Sequence, residues 1–138
     1  MVAKILIVED DLDILEAMRL PLEATGYEIH YAARGKEALE RVKGLKPDLI
    51  ILDVMMESDR EGFRVAYQLR NPDPRSEYAE CSKIPILVLT AIGGEKGMQF
   101  SPETDQEPLP LDGLLEKPVR LEVLLDHVAA LLKIREKA

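Results

Sequence analysis

Five side chains with the means to do chemistry stand at the ends of apolar runs. Glu9 and Asp10 follow residues 4–8 (KILIV), Asp53 closes LIILD, Thr90 follows ILVL, and Lys117 follows a weaker apolar stretch. Three carboxylates cannot share a small site as anions without help. Their pKa values must rise, or a cation must neutralise them. Hard oxygen donors select Mg²⁺ or Ca²⁺, and a site with few protein ligands and room for water and phosphate suits Mg²⁺. A metal-bound carboxylate beside an ammonium and a hydroxyl is an arrangement for phosphoryl transfer. Asp53 would be the nucleophile, Lys117 would offset charge on the transferring oxygens, and Thr90 would donate a hydrogen bond to one of them.

The elements that must position these residues alternate between short apolar runs and amphipathic stretches. Strands are expected at residues 4–8, 27–31, 48–54, 84–89 and, more weakly, 111–115. Runs this short and β-branched suit strands buried on both faces of a parallel sheet. A helix begins after Asp11, which can cap it, with Leu12, Leu15 and Met18 at helical spacing. Pro21 interrupts that pattern, so a kink or a short helix ending near Gly26 is expected. A second helix covers residues 36–43, with Gly44 and Pro47 as its stop signals. A third carries Phe63, Ala66 and Leu69. Residues 71–83 are polar and proline-bearing and read as a loop. The last helix, residues 119–137, has the clearest apolar stripe: Leu121, Leu124, Leu125, Val128, Leu131 and Leu132.

Alternating strands and helices imply an α/β domain, a parallel sheet with helices on both faces. In such sheets ligands bind beyond the carboxyl ends of the strands, where the five polar residues lie. Residues 1–138 read as one domain, without repeats or a linker. Residues 93–110 should hold a crossover helix, yet they contain three prolines and three glycines and show no helical period. A loop this long inside a compact domain is uncommon, so the segment is expected to carry function or to move.

Bulk properties narrow the classes. Apolar residues make up 46% and charged residues 32%, the balance of a globular domain, and with only 4% aromatics the core must be aliphatic. A net charge of −8 opposes direct nucleic-acid binding and attraction to an anionic membrane. Cys81 is the single cysteine, so no intrachain disulfide can form and a cytoplasmic setting is expected. The N-terminus lacks signal-peptide character, and no apolar run is long enough to span a bilayer. His30 and His127 have no partners at metal-ligand spacing and read as structural. Cys81, in the polar segment, reads as a bystander.

The ordered set KILIVEDD, LIILDVMM around Asp53, IPILVLTA around Thr90 and EKPV around Lys117 resembles the receiver domain of two-component response regulators, the CheY-like family, across nearly the whole chain. The resemblance implies a flavodoxin-like, doubly wound five-stranded sheet in the order 2-1-3-4-5, here with an atypical or missing fourth crossover helix. It implies Asp53 as phosphoacceptor, Asp10 and Asp53 as direct Mg²⁺ ligands, Glu9 as a ligand through water, and the Met55 backbone carbonyl as a further ligand. Thr90 would be the switch hydroxyl and Lys117 the phosphoryl-binding lysine. The donor would be a histidine kinase or a phosphotransfer protein. The chain stops after its last helix, so the expected form is a stand-alone, non-enzymatic receiver. It would act by binding another protein, with a homodimer compatible with that role.

Three features depart from the family pattern, and a further pair of positions bears on phosphoryl lifetime. Glu57 replaces the usual proline and Gly62 lies nine residues past Asp53, which implies a two-residue insertion carrying Glu57 and Asp59. Leu114 occupies the position usually held by Tyr or Phe, so aromatic switching loses its usual hydrogen bonding. Residues 93–110 replace the usual helix and are expected to form a remodelled output surface. Met55 and Ile92, apolar at the positions that tune access of the hydrolytic water, imply a long-lived phosphoryl group.

Two other functions are weighed against this one. A haloacid-dehalogenase-type phosphatase needs a second Asp two residues after its nucleophile, where this chain has Met55. A pseudo-receiver, an interaction module that is never phosphorylated, usually lacks an acid or the lysine, and all are present here. The glycine signatures of nucleotide-binding enzymes are absent.

Overall fold

The computed structural model describes residues 2–53, 61–71, 73–91, 112–117 and 119–137, with only the backbone path described for 61–63, 91, 116 and 134–137. Met55, Glu57, Asp59, Ile92 and residues 93–110 lie outside the described residues, as do the expectations attached to them.

In chain order the elements are β1 (Lys4–Val8), α1 (Leu12–Thr25), β2 (Glu28–Ala32), α2 (Gly35–Leu45), β3 (Leu49–Asp53), α3 (Glu61–Leu69), a 3₁₀ turn (Ala79–Cys81), β4 (Ile86–Ala91), β5 (Gly113–Lys117) and α4 (Leu121–Lys137). The strands form one sheet in the order β2-β1-β3-β4-β5, and every pairing is parallel. This is the flavodoxin-like sheet that the family resemblance implies.

The apolar runs split by alternation. Leu6, Val8, Ile50, Leu52, Ile86 and Val88 face one core with Ala38 and Val42 of α2 and Val65, Ala66 and Leu69 of α3. Ile5, Ile7, Leu49, Ile51, Leu87 and Leu89 face the other, with Leu15, Met18 and Leu22 of α1 and Leu124, Val128 and Leu132 of α4. Burial on both faces explains why these strands are continuously apolar rather than alternating with polar residues.

Local chemistry sets the helix boundaries. Asp11 Oδ1 accepts from the backbone N–H groups of Asp13 and Ile14 at 2.9 and 3.3 Å, capping α1. The helix carries Pro21 within its 14 residues and ends at Gly26, whose φ of 112° is one that glycine adopts without strain. Gly44 does not stop α2. The helix runs one residue further, and Lys46 takes the left-handed conformation (φ 49°) with its N–H donating to Val42 O at 2.9 Å. Pro47 then has no N–H with which to continue the ladder.

Other boundaries differ from the sequence expectation by one or two residues. The second strand is Glu28–Ala32 rather than 27–31. The fourth begins at Ile86, because Pro85 cannot donate to the ladder, although its carbonyl accepts from Ile50 N–H at 3.0 Å. The last helix starts at Leu121, and Leu121 itself is exposed while Leu124, Val128 and Leu132 carry the buried stripe.

Residues 71–83 are more than a polar loop. Tyr78 and Cys81 are buried in the α2/α3 core, and the Cys81 thiol lies 3.7 Å from the Val42 carbonyl oxygen. Cys81 is thus a core residue. His30 pairs with Glu28 at 2.8 Å, and His127 Nδ1 lies 2.9 Å from Val123 O, one helical turn away.

The fifth strand also differs from the expected 111–115. Pairing places Thr90 opposite Glu116 and Ala91 opposite Lys117, so the strand runs from Gly113 to Lys117 and carries the lysine as its last residue. A Cβ on Gly113 would come within 2.9 Å of Leu87 Cδ1, so a larger residue at the strand start would require the Leu87 side chain to shift.

Candidate functional site

The carboxyl ends of β1, β3, β4 and β5 form one rim. Glu9 follows β1 directly, and its backbone N–H donates to Ala32 O at 3.0 Å, extending the β1/β2 ladder and fixing Glu9 where its side chain is fully buried. Asp53 ends β3 at 1% exposure and sits opposite Leu89 of β4. Thr90, one residue further along β4, is 4% exposed. Lys117 ends β5.

Lys117 Nζ donates to both buried acids, to Asp53 Oδ2 at 2.9 Å and to Glu9 Oε1 at 3.0 Å. Carboxylate oxygens of Glu9, Asp10 and Asp53 all lie within 4.8 Å of one another. Asp10 is exposed and supplies the solvent side of this group. Glu9 Oε2 and Thr90 Oγ1 are buried and have no hydrogen-bond partner among the described residues. A buried carboxylate oxygen without a donor is costly, so both atoms await a partner.

The electrostatics point the same way. Burial, and then the neighbouring Asp53, push the Glu9 carboxyl up to about 8, with Lys117 only partly offsetting them. Burial works against the Lys117 ammonium, but Asp53 and Glu9 outweigh it and hold its pKa above the usual lysine value. One ammonium therefore faces three acids and leaves the group short of positive charge. Hard oxygen donors, an unpartnered Glu9 oxygen and a carboxyl forced toward its neutral form are together what a small divalent cation would relieve, so the residues fit Mg²⁺.

Of the residues singled out from sequence, Glu9, Asp10, Asp53 and Lys117 come together in direct contact or close to it. Thr90 shares the rim, buried, with its hydroxyl oxygen unpartnered. The Met55 carbonyl lies outside the described residues. Sequence reasoning missed the direct Glu9–Lys117 contact. The available signal was the residue type at position 9: glutamate carries its carboxylate one methylene further than aspartate and can reach a lysine arriving from a non-adjacent strand. Leu114, at the position usually aromatic, is 42% exposed on β5.

Comparison with known proteins identifies the family and the fold. The family model described as response regulator receiver domain matches residues 5–129. The response regulator MprA of Mycolicibacterium vanbaalenii is 35% identical over 133 residues, which are 96% of this chain and 52% of that protein. The chain thus spans about half the length of the curated relatives it matches. Among solved structures, chemotaxis response regulator CheY4 of Vibrio cholerae superposes with a TM-score of 0.74 at 32% identity, covering 95% of this chain and 99% of that one. A CheY-like response regulator receiver domain protein from Methanospirillum hungatei gives a TM-score of 0.76 at 26% identity, covering 99% of this chain and 98% of that one. Among the described residues, no helix is long and apolar enough to cross a membrane.

Proposed function

Because this chain belongs to the response regulator receiver domain family of two-component signalling, we propose that it is a switch set by Mg²⁺-dependent phosphorylation of Asp53. The donor is a histidine kinase or a phosphotransfer protein, and the output is a protein–protein contact. The observation that carries this reading is the buried Asp53 carboxylate, with Lys117 Nζ at 2.9 Å and oxygens of Glu9 and Asp10 beside it.

In the transfer, an Asp53 carboxylate oxygen attacks the phosphorus of the donor phosphohistidine. The P–N bond breaks, its electron pair stays on the imidazole nitrogen, and an acyl phosphate forms on Asp53. Lys117 pairs with a phosphoryl oxygen, and the Thr90 hydroxyl donates to another. Glu9, Asp10, Asp53 and the Met55 carbonyl would hold the metal, which when bound supplies positive charge against the phosphoryl oxygens. Burial of Glu9, Asp53 and Thr90 keeps the field around the reacting oxygens little screened by water. The protein is changed by the step rather than turning over a substrate, so its role is signalling. On this reading residues 1–138 act as one receiver unit in the cytoplasm.

Incubation with Mg²⁺ and acetyl phosphate, followed by intact mass measurement, tests the proposal. One phosphoryl adduct is expected, absent in Asp53→Asn and absent without Mg²⁺. An adduct that persists in Asp53→Asn, or none in the wild type, would reject it.

A further inference from the structure

Two strand pairs in the sheet start in the same way. Asp48, just before β3, donates its backbone N–H to Lys4 O at 2.7 Å, and its Oδ2 accepts the Lys4 N–H at 2.8 Å. Asp112, just before β5, donates its backbone N–H to Ile86 O at 2.9 Å, and its Oδ2 accepts the Ile86 N–H at 2.8 Å. Lys4 and Ile86 are the first residues of β1 and β4. Each aspartate thus holds both backbone polar groups of one residue on the neighbouring strand, a two-point clamp that fixes where the two strands begin. Among the described residues, the other two pairings start on backbone contacts, Glu28 N–H to Ala3 O and Ile50 N–H to Pro85 O.

These clamps stand where the apolar pattern leaves register open. β1, β3 and β4 bury Ile, Leu and Val on both faces, so a two-residue slip returns each side chain to its own face and meets little opposition from the core. Such a slip moves one strand end by about 6–7 Å against the other. The Lys117 contacts to Glu9 and Asp53, at 3.0 and 2.9 Å, would not survive it. Asp53 follows Asp48 by five residues, and Lys117 follows Asp112 by five. With β1 and β3 paired from Ile5 and Leu49 to Val8 and Leu52, Glu9 comes level with Asp53. With Thr90 opposite Glu116 and Ala91 opposite Lys117, the lysine comes level with the end of β4 that carries the hydroxyl. We propose that Asp48 and Asp112 are positioning residues for phosphoryl transfer. From the far ends of the strands, Asp48 sets Glu9 and Asp10 against Asp53, and Asp112 sets Lys117 against Thr90. The inference rests on the phosphoacceptor reading above and assigns to it two residues that stand about 17 Å from the chemistry, at five strand steps.

The two clamps predict different losses, measured on the full chain at a temperature where each variant is folded. Asp48→Ala should weaken Mn²⁺ binding, read by electron paramagnetic resonance, by about tenfold or more, as misplacement far from the chemistry can. Asp112→Ala should keep Mn²⁺ affinity but lower the rate of phosphorylation by acetyl phosphate at saturating Mg²⁺ by about tenfold or more. Asp48→Asn and Asp112→Asn keep an oxygen that accepts the same N–H and should restore each property. Leu132→Ala, which loosens the α4 core and leaves both clamps in place, should lower stability and change neither property. In the wild type, independently of any variant, the Lys4 and Ile86 amides should exchange with deuterium as slowly as amides in the middle of their strands. Alanine variants with wild-type affinity and rate, asparagine variants as impaired as alanine, losses matched by Leu132→Ala, or fast exchange at Lys4 and Ile86 would each overturn the positioning role while leaving the receiver reading intact. A wild type that neither binds Mn²⁺ nor accepts a phosphoryl group overturns the receiver reading and the positioning with it.

Discussion

Glu9 and Lys117 lie 108 residues apart, the first just past β1 and the second at the end of β5, strands separated in the sheet by β3 and β4, yet Lys117 Nζ donates to Glu9 Oε1 at 3.0 Å. Asp53, which ends β3, one of the two strands between them, binds the same ammonium. Parallel strands that all end on one rim make this convergence unavoidable once each run stops at its polar residue. The site is thus a product of strand length and order, with only the last side-chain torsions left to choose.

The buried Glu9 carboxyl gives the metal-free protein a pH dependence of definite sign. Its pKa, about 8 when folded, lies above the ordinary value of 4.5. Between these values the folded state binds more protons than the unfolded state, so this contribution to stability is lost as pH rises through about 8. In EDTA, Glu9→Gln lacks this term. The Tm difference, variant minus wild type, should therefore grow in the variant's favour between about pH 5 and about pH 8.5. Parallel Tm curves for the two proteins would reject the assignment.

Divalent cations should oppose that loss. At a Mg²⁺ concentration 100 times its Kd, one-site binding to the folded state adds about 2.7 kcal/mol. Wild-type Tm should rise by several degrees with Mg²⁺ and return with EDTA. Asp10→Ala, which removes the exposed acid of the cluster, should abolish most of the rise without lowering the metal-free Tm appreciably. Equal Mg²⁺ shifts in both proteins would place the cation elsewhere.

Much of this was legible in the sequence because burial on both sheet faces imposes continuous apolar runs, and the runs end where the chemistry starts. Glu9, Asp53 and Lys117 could be placed at strand ends without knowing their partners. Side-chain reach was harder to read: position 9 showed an acid but not its contact with Lys117. Helix ends depended on backbone choices that residue type signals weakly. Gly44 read as a stop because glycine favours the left-handed region, but Lys46 adopted that conformation instead, beside Pro47. The polar letters of residues 71–83 hid Tyr78 and Cys81, whose burial depends on packing against α2 and α3 rather than on any local period.

Adjacent aspartates at the start of α1 should separate cleanly by function. Asp11 Oδ1 accepts the N–H groups of Asp13 and Ile14 and has a capping role, whereas Asp10 belongs to the acidic cluster. Asp11→Ala should cost about 1 kcal/mol of stability, the usual value of an N-cap, while leaving the Mg²⁺-induced rise in Tm intact. Denaturant unfolding with and without Mg²⁺ checks both halves. Loss of the Mg²⁺ response in Asp11→Ala would make this residue a ligand as well as a cap.

A last prediction concerns the amino ends of the strands, opposite the site. Arg70, just past α3, donates from Nη1 to Ser82 O at 2.6 Å and forms an ion pair through Nη2 with Asp112, which precedes β5. The same Asp112 oxygen accepts from Ile86 N–H at 2.8 Å, and Asp112 N–H donates to Ile86 O at 2.9 Å, so one side chain links the end of α3 to the starts of β4 and β5. Arg70→Ala removes two charge-assisted hydrogen bonds but leaves Asp112 tied to Ile86. Because Asp112 is partly exposed and the pair is screened, the expected loss is about 1–2 kcal/mol rather than the full value of two buried bonds. The site lies at the other ends of these strands, so Mg²⁺ affinity and the extent of phosphorylation by acetyl phosphate should stay unchanged below the lowered Tm. Urea unfolding and intact mass on the same preparation measure both. A variant that keeps full stability would show that β4 and β5 hold their register without the arginine, and one that loses the adduct while still folded would show that this edge reaches the phosphoacceptor site through β4 and β5.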